Sequence, residues 1–312
     1  KRLGGVCLNR GCIPSKALLN ASHLISEAKE SAHRGITFDP PRVNLEKMRE
    51  WKESILERLG QGIQGLAQKR GVQVIHGRGH FEDSHTLRVE TTEGQKFISY
   101  EKAIIAVGSK PAMPSAFDLG NKRIMTSTEA LEIQDIPNDL LVVGGGYIGM
   151  ELGTVYADLG SNVVVLEAMP SILTGVDPDL VRPVSRAAQK SFKEIRVNTK
   201  VLKMATAGKQ IKVTMEIDKQ QREELYDRVL VSVGRAPNYV DLGLENTRVT
   251  KDDKGFIKCN LQQQTDDPDI YAIGECASHS GMVYGLVAPG YTMAEIVARN
   301  LTQQDTAIFG GA

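Results

Sequence analysis

Residues 139–167 constrain the fold of this chain more than any other stretch. Leu140-Leu141-Val142-Val143 runs into Gly144-Gly145-Gly146-Tyr147-Ile148-Gly149, a helical pattern continues through Gly153, and Val163-Val164-Val165-Leu166 ends at Glu167. This is the pattern of a strand, a glycine turn, a helix and a second strand, which predicts α/β architecture with parallel strands. Gly144 permits the tight turn, Gly146 lets the backbone approach a pyrophosphate, and Gly149 lets helix and strand pack closely, with the helix N-terminus facing the phosphate charge. Glu167 lies about 20 residues on, where it accepts hydrogen bonds from both ribose hydroxyls and repels a 2′-phosphate, so NAD is favoured over NADP. A glycine turn alone is weak evidence; the two strands, the helix and the terminal acid together carry the assignment.

At 312 residues the chain is expected to form two or three packed units rather than one core. Its 38 basic and 38 acidic residues cancel, which gives no electrostatic reason for a nucleic-acid or anionic-membrane partner. No apolar run approaches the roughly 20 residues that span a bilayer. The start, Lys1-Arg2-Leu3-Gly4-Gly5, lacks the apolar core of a signal peptide, so a soluble, cytoplasmic protein is expected. Four cysteines are too few for a disulfide scaffold and point to reactive or incidental thiols.

Apolar positions at helical spacing predict helices over 13–33 and 44–70, the latter through Leu45, Met48, Trp51, Ile55 and Leu59. From Val72 to Val107 the pattern shortens to strands, 111–121 reads as a linker, and 210–233 reads as antiparallel strands. Val231-Ser232-Val233-Gly234-Arg235-Ala236-Pro237-Asn238 nearly echoes Ile105-Ala106-Val107-Gly108-Ser109-Lys110-Pro111, hinting at two related nucleotide-binding halves. The expected segments are 1–112, 113–236 and 237–312.

Gly4-Gly5-Val6-Cys7-Leu8-Asn9-Arg10-Gly11-Cys12-Ile13-Pro14-Ser15-Lys16 places two cysteines ahead of a helix. A helix N-terminus stabilises thiolate, and Cys12 is best placed for that benefit, with Lys16 and Arg10 as further cations. A dithiol held this way can cycle through a disulfide, one sulfur exchanging with substrate and the other facing an electron carrier. On spacing alone the commoner reading is two buried structural cysteines. A zinc site is less favoured, because no histidine or further cysteine lies nearby with ligand spacing, and no metal is expected.

The whole string is similar to the redox-active segment of the dihydrolipoamide dehydrogenase branch of the class I pyridine nucleotide–disulfide oxidoreductases, and more distantly to those of glutathione and mercuric reductases. The resemblance implies that Cys7 is the interchange thiol and Cys12 the charge-transfer thiol against a flavin. Arg10 departs from the small apolar residue usual in that family; it either lowers the thiol pKa or points to solvent. By the same resemblance Glu151, in Gly-Tyr-Ile-Gly-x-Glu, pairs with a buried Lys16 near the flavin N5, and Tyr147 lines the nicotinamide pocket, with core packing as the alternative for Tyr147.

The resemblance also implies FAD. Gly108 and Ser109, and the corresponding Gly234, lie in segments like the family's domain crossovers, the first of them beside its FAD. In Ile270-Tyr271-Ala272-Ile273-Gly274-Glu275 the terminal acid matches the one on the ribityl chain, with Glu275 in place of the usual Asp. Gly77-Arg78-Gly79-His80-Phe81 resembles a stretch near the adenine. The implied fold is two Rossmann-like FAD/NAD(P)-binding domains of three-layer β/β/α form, without the N-terminal FAD fingerprint and the C-terminal dimerisation domain. Complete relatives are homodimers whose partner histidine serves the exchange thiol. His23, His33, His76, His80, His85 and His279 match no such motif and read as surface or core residues, and Cys259 and Cys276 read as bystanders.

The implied activity is transfer of electrons from a dithiol, small or borne on a lipoyl domain of a 2-oxo acid dehydrogenase complex, to NAD⁺ through FAD. Residues 263–312 resemble instead the flavin module of nitrite reductase. That leaves two rivals, an NADH-oxidising flavin module that feeds another redox centre and a truncated NAD-binding fragment without catalysis.

Overall fold

The structure is a computed structural model that describes residues 2–303 and 306–311; Lys1 and Ala312, the outermost bounds expected from the sequence, lie outside the described residues. In chain order the helices are α1 (Gly5–Arg10), α2 (Cys12–Glu30), α3 (Leu45–Lys69), α4 (Ser127–Ala130), α5 (Tyr147–Asp158), α6 (Pro178–Ser191) and α7 (Val287–Leu301). The strands before the glycine loop are β1 (Arg78–Phe81), β2 (Thr86–Thr91), β3 (Gly94–Ser99), β4 (Ala103–Ile105), β5 (Ser109–Pro111), β6 (Ile124–Met125) and β7 (Asp139–Val143). Those after it are β8 (Asn162–Leu166), β9 (Glu194–Arg196), β10 (Thr199–Ala207), β11 (Gln210–Ile217), β12 (Gln220–Tyr226), β13 (Arg228–Val231), β14 (Arg235–Pro237), β15 (Ile257–Cys259), β16 (Ile270–Ala272) and β17 (Ala277–His279). The chain packs as two compact units, a first of Arg2–Ile63 with Pro111–Gly234 and a second of Gln64–Lys110 with the residues from Arg235 onward.

The first unit is built on a five-stranded sheet of order β6-β13-β7-β8-β9, parallel throughout. Alternate residues of β7 and β8 face opposite layers. Leu140, Val142, Val163 and Val165 pack with Met150, Leu152, Val155 and Tyr156, whereas Leu141, Val143, Val164 and Leu166 pack with Val201, Met204, Ile211, Val213 and Met215. The latter face is covered by the antiparallel sheet β10-β11-β12, which gives the expected β/β/α layering. Burial on both faces is why β7 and β8 read as unbroken apolar runs.

Three sequence expectations change here. Arg228–Val231 is not antiparallel but lies parallel between β6 and β7, so only β11 and β12 fit the antiparallel reading of 210–233. Segment 111–121 is no free linker, because Phe117 is buried in the core between the two sheets. In α3 the buried residues are Lys52, Leu56 and Gly60, while Trp51 and Leu59 are exposed. The inward face is set by a charged residue: Lys52 is 1% exposed, and its Nζ donates to Leu131 O at 2.8 Å and reaches Glu132 Oε2 at 3.4 Å. A buried lysine matched to a carbonyl and a carboxylate is tolerated where an unpaired one is not.

The second unit holds the antiparallel sheet β1-β2-β3, the parallel pairs β4 with β16 and β15 with β17, and the ribbon of β5 with β14. Phe81, Ile105, Ile257, Ile270, Ala272 and Cys276 form its core. The register sets Ile270 beside Ala103 and Ala272 beside Ile105, so Gly108-Ser109 and Gly274-Glu275 both follow the C-terminal ends of two paired strands. Ligands of parallel α/β sheets sit at that end of the strands.

Candidate functional site

In the first unit the glycine loop is shaped by contacts that admit no side chain. Gly144 has φ +102°, and a Cβ there would lie 2.5 Å from Ser232 O. At Gly149 a Cβ would lie 2.1 Å from Gly144 O, so helix α5 seats directly on the loop only with glycine at that position. At Gly146, the residue before α5, the corresponding space is open. The helix α5 begins at the glycine loop with no side-chain cap on its N-cap residue, Gly146. Tyr147 opens the helix and is 54% exposed, so it is not a core residue.

Glu167 ends β8 with both carboxylate oxygens engaged. Oε2 accepts from Gly145 N at 2.7 Å and Oε1 from Met169 N at 2.8 Å. Each oxygen keeps a second lone pair, so the acid is fixed in place and still able to accept from a ligand hydroxyl. Ser232, which the sequence reading passed over, braces the loop: its hydroxyl lies 3.0 Å from both Val143 O and Gly144 O. Gly234, two residues on, has φ +133° and accepts from Ala112 N at 3.0 Å.

The cysteine pair lies in the same unit. Cys7 is in α1 and Cys12 opens α2, with Gly11 between the two helices, and both thiols are free. Cys7 is half-buried and Cys12 exposed. Burial, followed by the hydrogen bond and charge contact with Cys12, pushes the Cys7 thiol up to about 11, against the opposing pull of the Cys12 N–H and Lys16. Cys7 therefore holds its proton at neutral pH. Arg10 is exposed, and its charge acts on Glu129.

Glu151, one turn into α5, receives two groups from α2. Lys16 Nζ lies 2.5 Å from its Oε1, and Ser15 Oγ lies 2.9 Å from its Oε2 and 3.1 Å from Cys12 O. The Lys16–Glu151 pairing implied by the resemblance is present. The lysine is not buried, however: its side chain is 59% exposed because it reaches Glu151 from the rim of the helix contact. Ser15 was missed because its partner lies 136 positions away.

The second unit gathers Gly108, Ser109 and Glu275 with Arg235, another residue that sequence reasoning did not single out for the site. Ser109 Oγ donates to Glu275 Oε2 at 2.5 Å; Arg235 Nε lies 2.6 Å from Ser109 Oγ and 3.1 Å from Glu275 Oε2, and its Nη2 donates to Ser109 O at 2.9 Å. Gly108 and Gly274 have φ +66° and +72°, and space beside each is open. Gly79 is placed apart from this cluster's hydrogen bonds, in β1 against Leu87. Its neighbour Gly77 is the constrained one, since a Cβ there would lie 2.5 Å from Glu90 O.

Cys276 is buried, and burial raises its thiol pKa; burial likewise pushes Cys259 up to about 12. His279 is buried as well, while His23, His33, His76 and His85 are exposed. Among the described residues no three His, Cys, Asp or Glu side chains gather to hold a metal, and no helix is long and apolar enough to cross a membrane.

Comparison with known proteins adds the following. The pyridine nucleotide-disulphide oxidoreductase description matches residues 2–300, a span that runs on into the 263–312 segment. The dihydrolipoyl dehydrogenase of Haemophilus influenzae is 40% identical over 299 residues, and that of Vibrio cholerae is 37% identical over 297. Each alignment covers 95% of this chain and 62% of the relative, so the chain spans about 62% of the length of these curated relatives. Among solved structures, the Cu(II) complex of the HOCl-induced flavoprotein disulfide reductase RclA from Escherichia coli superposes with a TM-score of 0.83 at 24% identity. That match covers 98% of this chain and 64% of the other and is a likeness of fold.

Proposed function

This chain belongs to the pyridine nucleotide-disulphide oxidoreductase family, and from that premise we propose that it carries the machinery of a dihydrolipoyl dehydrogenase, passing electrons from a dithiol to NAD⁺ through Cys7 and Cys12. The observation that carries the reading is the double contact of Ser15 and Lys16 with Glu151. It ties the helix that begins at Cys12 to the helix that begins at the glycine loop.

The reaction starts from the Cys7–Cys12 disulfide. A substrate thiolate attacks the Cys7 sulfur, the Cys7–Cys12 bond breaks, and Cys12 leaves as thiolate at the head of α2, where the helix N-terminus and Lys16 favour the charge. The second substrate thiolate then attacks the substrate sulfur of the mixed disulfide. The substrate leaves as a disulfide, and Cys7 takes a proton, which its raised pKa favours. Two electrons now reside on the dithiol.

On the nucleotide side, Gly144 and Gly146 hold the pyrophosphate of NAD⁺ at the start of α5, Gly149 lets that helix seat on the loop, Glu167 holds the adenosine ribose, Tyr147 lines the nicotinamide side, and Gly234 belongs to the crossover segment beside the loop. FAD, when bound, supplies a two-electron carrier between dithiol and nicotinamide. The residues present fit it: Ser109 and Arg235 fix Glu275, and the open spaces at Gly108 and Gly274 leave room beside it. Gly79 serves the adenine end.

In this reading residues 1–112 and 237–312 are FAD-binding and 113–236 NAD-binding. The substrate is a small or lipoyl-domain dithiol, the setting a cytoplasmic 2-oxo acid dehydrogenase complex, and the working assembly a homodimer. The test is the visible spectrum of the purified chain supplied with FAD and titrated anaerobically with dihydrolipoamide. A long-wavelength thiolate-to-flavin band that disappears in Cys12→Ser is the expected outcome. A chain that retains no flavin sinks catalysis by these residues as they stand.

A further inference from the structure

Helices α2 and α5 of the first unit meet through two contacts of one chemistry and one spacing. Ser15 Oγ lies 2.9 Å from Glu151 Oε2, and Ser22 Oγ lies 2.9 Å from Asp158 Oδ2; each pair is separated by 136 positions. Two helical turns separate the serines on α2, and two separate the carboxylates on α5. Between these rungs the contact is apolar, with Leu18 fully buried beside α5 in the same core as Met150 and Val155.

Apolar packing resists separation of two helices but constrains sliding along the axis less, because neighbouring knobs of similar size exchange places at small cost. A hydrogen bond to a defined carboxylate oxygen has one register. The far rung is the more committed of the two, since Ser22 is fully buried, with Leu19 O at 3.4 Å as its other acceptor among the described residues. Asp158 is half-buried and has given up solvation to meet it. The near rung touches the redox segment directly, because Ser15 Oγ also lies 3.1 Å from Cys12 O.

We infer that Ser22 and Asp158 are positioning residues for Cys12: they fix the register of α2 on α5, so that Ser15 and Lys16 both reach Glu151 and Cys12 stays at the head of its helix beside Cys7. The inference rests on the redox reading of the cysteines and adds to it a pair two turns from the chemistry. Loss of the far rung moves the first turn of α2 relative to Glu151. That moves Cys12 relative to the helix head and to Cys7 without touching either sulfur.

The experiment is alkylation of the reduced chain by iodoacetamide across a pH series, with each cysteine read by mass spectrometry, beside oxidation of the same chain in a glutathione buffer. Asp158→Ala is expected to slow Cys12 alkylation at neutral pH about fivefold and to move its pH midpoint upward, as loss of one charge-assisted hydrogen bond implies. Asp158→Asn keeps an acceptor oxygen for Ser22 and is expected to hold the rate within about twofold. If Asp158→Ala does not fold, Ser22→Ala makes the same comparison with a smaller change.

A lowered melting temperature with an unchanged Cys12 profile overturns the inference, because the pair then serves structure alone. Should the parent chain form no Cys7–Cys12 disulfide in the glutathione buffer, the redox reading itself fails and this inference goes with it. That failure is seen before any variant is made.

Discussion

The two units reach a similar arrangement, a glycine and an acid at the ends of parallel strands, by different physics. In the first unit the corner is shaped by exclusion: at Gly144 and Gly149 a side chain would meet backbone oxygen at 2.5 Å and 2.1 Å, and Glu167 is held by backbone N–H groups. In the second unit the glycines Gly108 and Gly274 have open space beside them, and the corner is held by side chains, with Ser109 and Arg235 both on Glu275. A corner made by exclusion tolerates no side chain at Gly144 or Gly149 and holds its acid through backbone N–H groups. A corner made by side chains asks of its glycines only their left-handed backbone, not the space beside them, and fails when a partner is removed.

The largest effect belongs to Gly149. Gly149→Ala sets a methyl group 2.1 Å from Gly144 O, and the neighbour is backbone that cannot turn aside. We expect a loss of ~3 kcal/mol or more in the first unit, read by urea unfolding, with NAD affinity down more than about tenfold in calorimetry. A variant as stable as the parent breaks the account of this corner as one shaped by exclusion.

Arg235→Met comes next. Glu275 is 23% exposed and Arg235 12%, so removing the cation leaves a carboxylate and a hydroxyl sharing one proton in a partly dry corner. The expected cost is ~2 kcal/mol, confined to the second unit and visible as faster hydrogen exchange in peptides that span β4 and β16. Glu275→Gln in the same background should recover part of that loss by removing the unpaired charge. If both variants leave exchange unchanged, the second corner does not depend on its charges and the contrast between the units collapses.

This contrast also explains what was legible in the sequence. The β7–α5–β8 segment was readable because its glycines answer local steric demands and its strands are buried on both faces, so residue type and spacing carry the information. Ser232, Arg235 and the Ser15 contact with Glu151 were not readable, because each is defined by a partner far along the chain. Lys52 reads as a solvated charge between apolar neighbours, and only Leu131 O and Glu132, 79 and 80 positions away, make it the buried residue of its helix. Helix α6 and strands β9 and β10 fell in a stretch to which the sequence reading gave no elements. Positional chemistry survives in sequence; of the pairings at long separation, only Lys16 with Glu151 was anticipated, and that by resemblance rather than from residue type and spacing.

The smallest effect tests where the comparison stops. Gly79 was singled out by resemblance, but a Cβ there would lie 3.5 Å from Leu87 Cδ2, an ordinary contact, whereas at Gly77 it would meet Glu90 O and Val89 Cγ1 at 2.5 Å. Gly79→Ala should therefore leave stability unchanged or raise it by up to ~1 kcal/mol, since alanine in a strand has less conformational entropy to lose than glycine. Gly77→Ala should cost more than that gain. With fold effects excluded in this way, flavin retention becomes the informative measurement on Gly79→Ala. A drop in retention at constant stability means that a ligand, rather than the protein, requires glycine there. Unchanged retention removes Gly79 from the cofactor site and leaves the second unit's corner to Gly108, Ser109, Gly274 and Glu275.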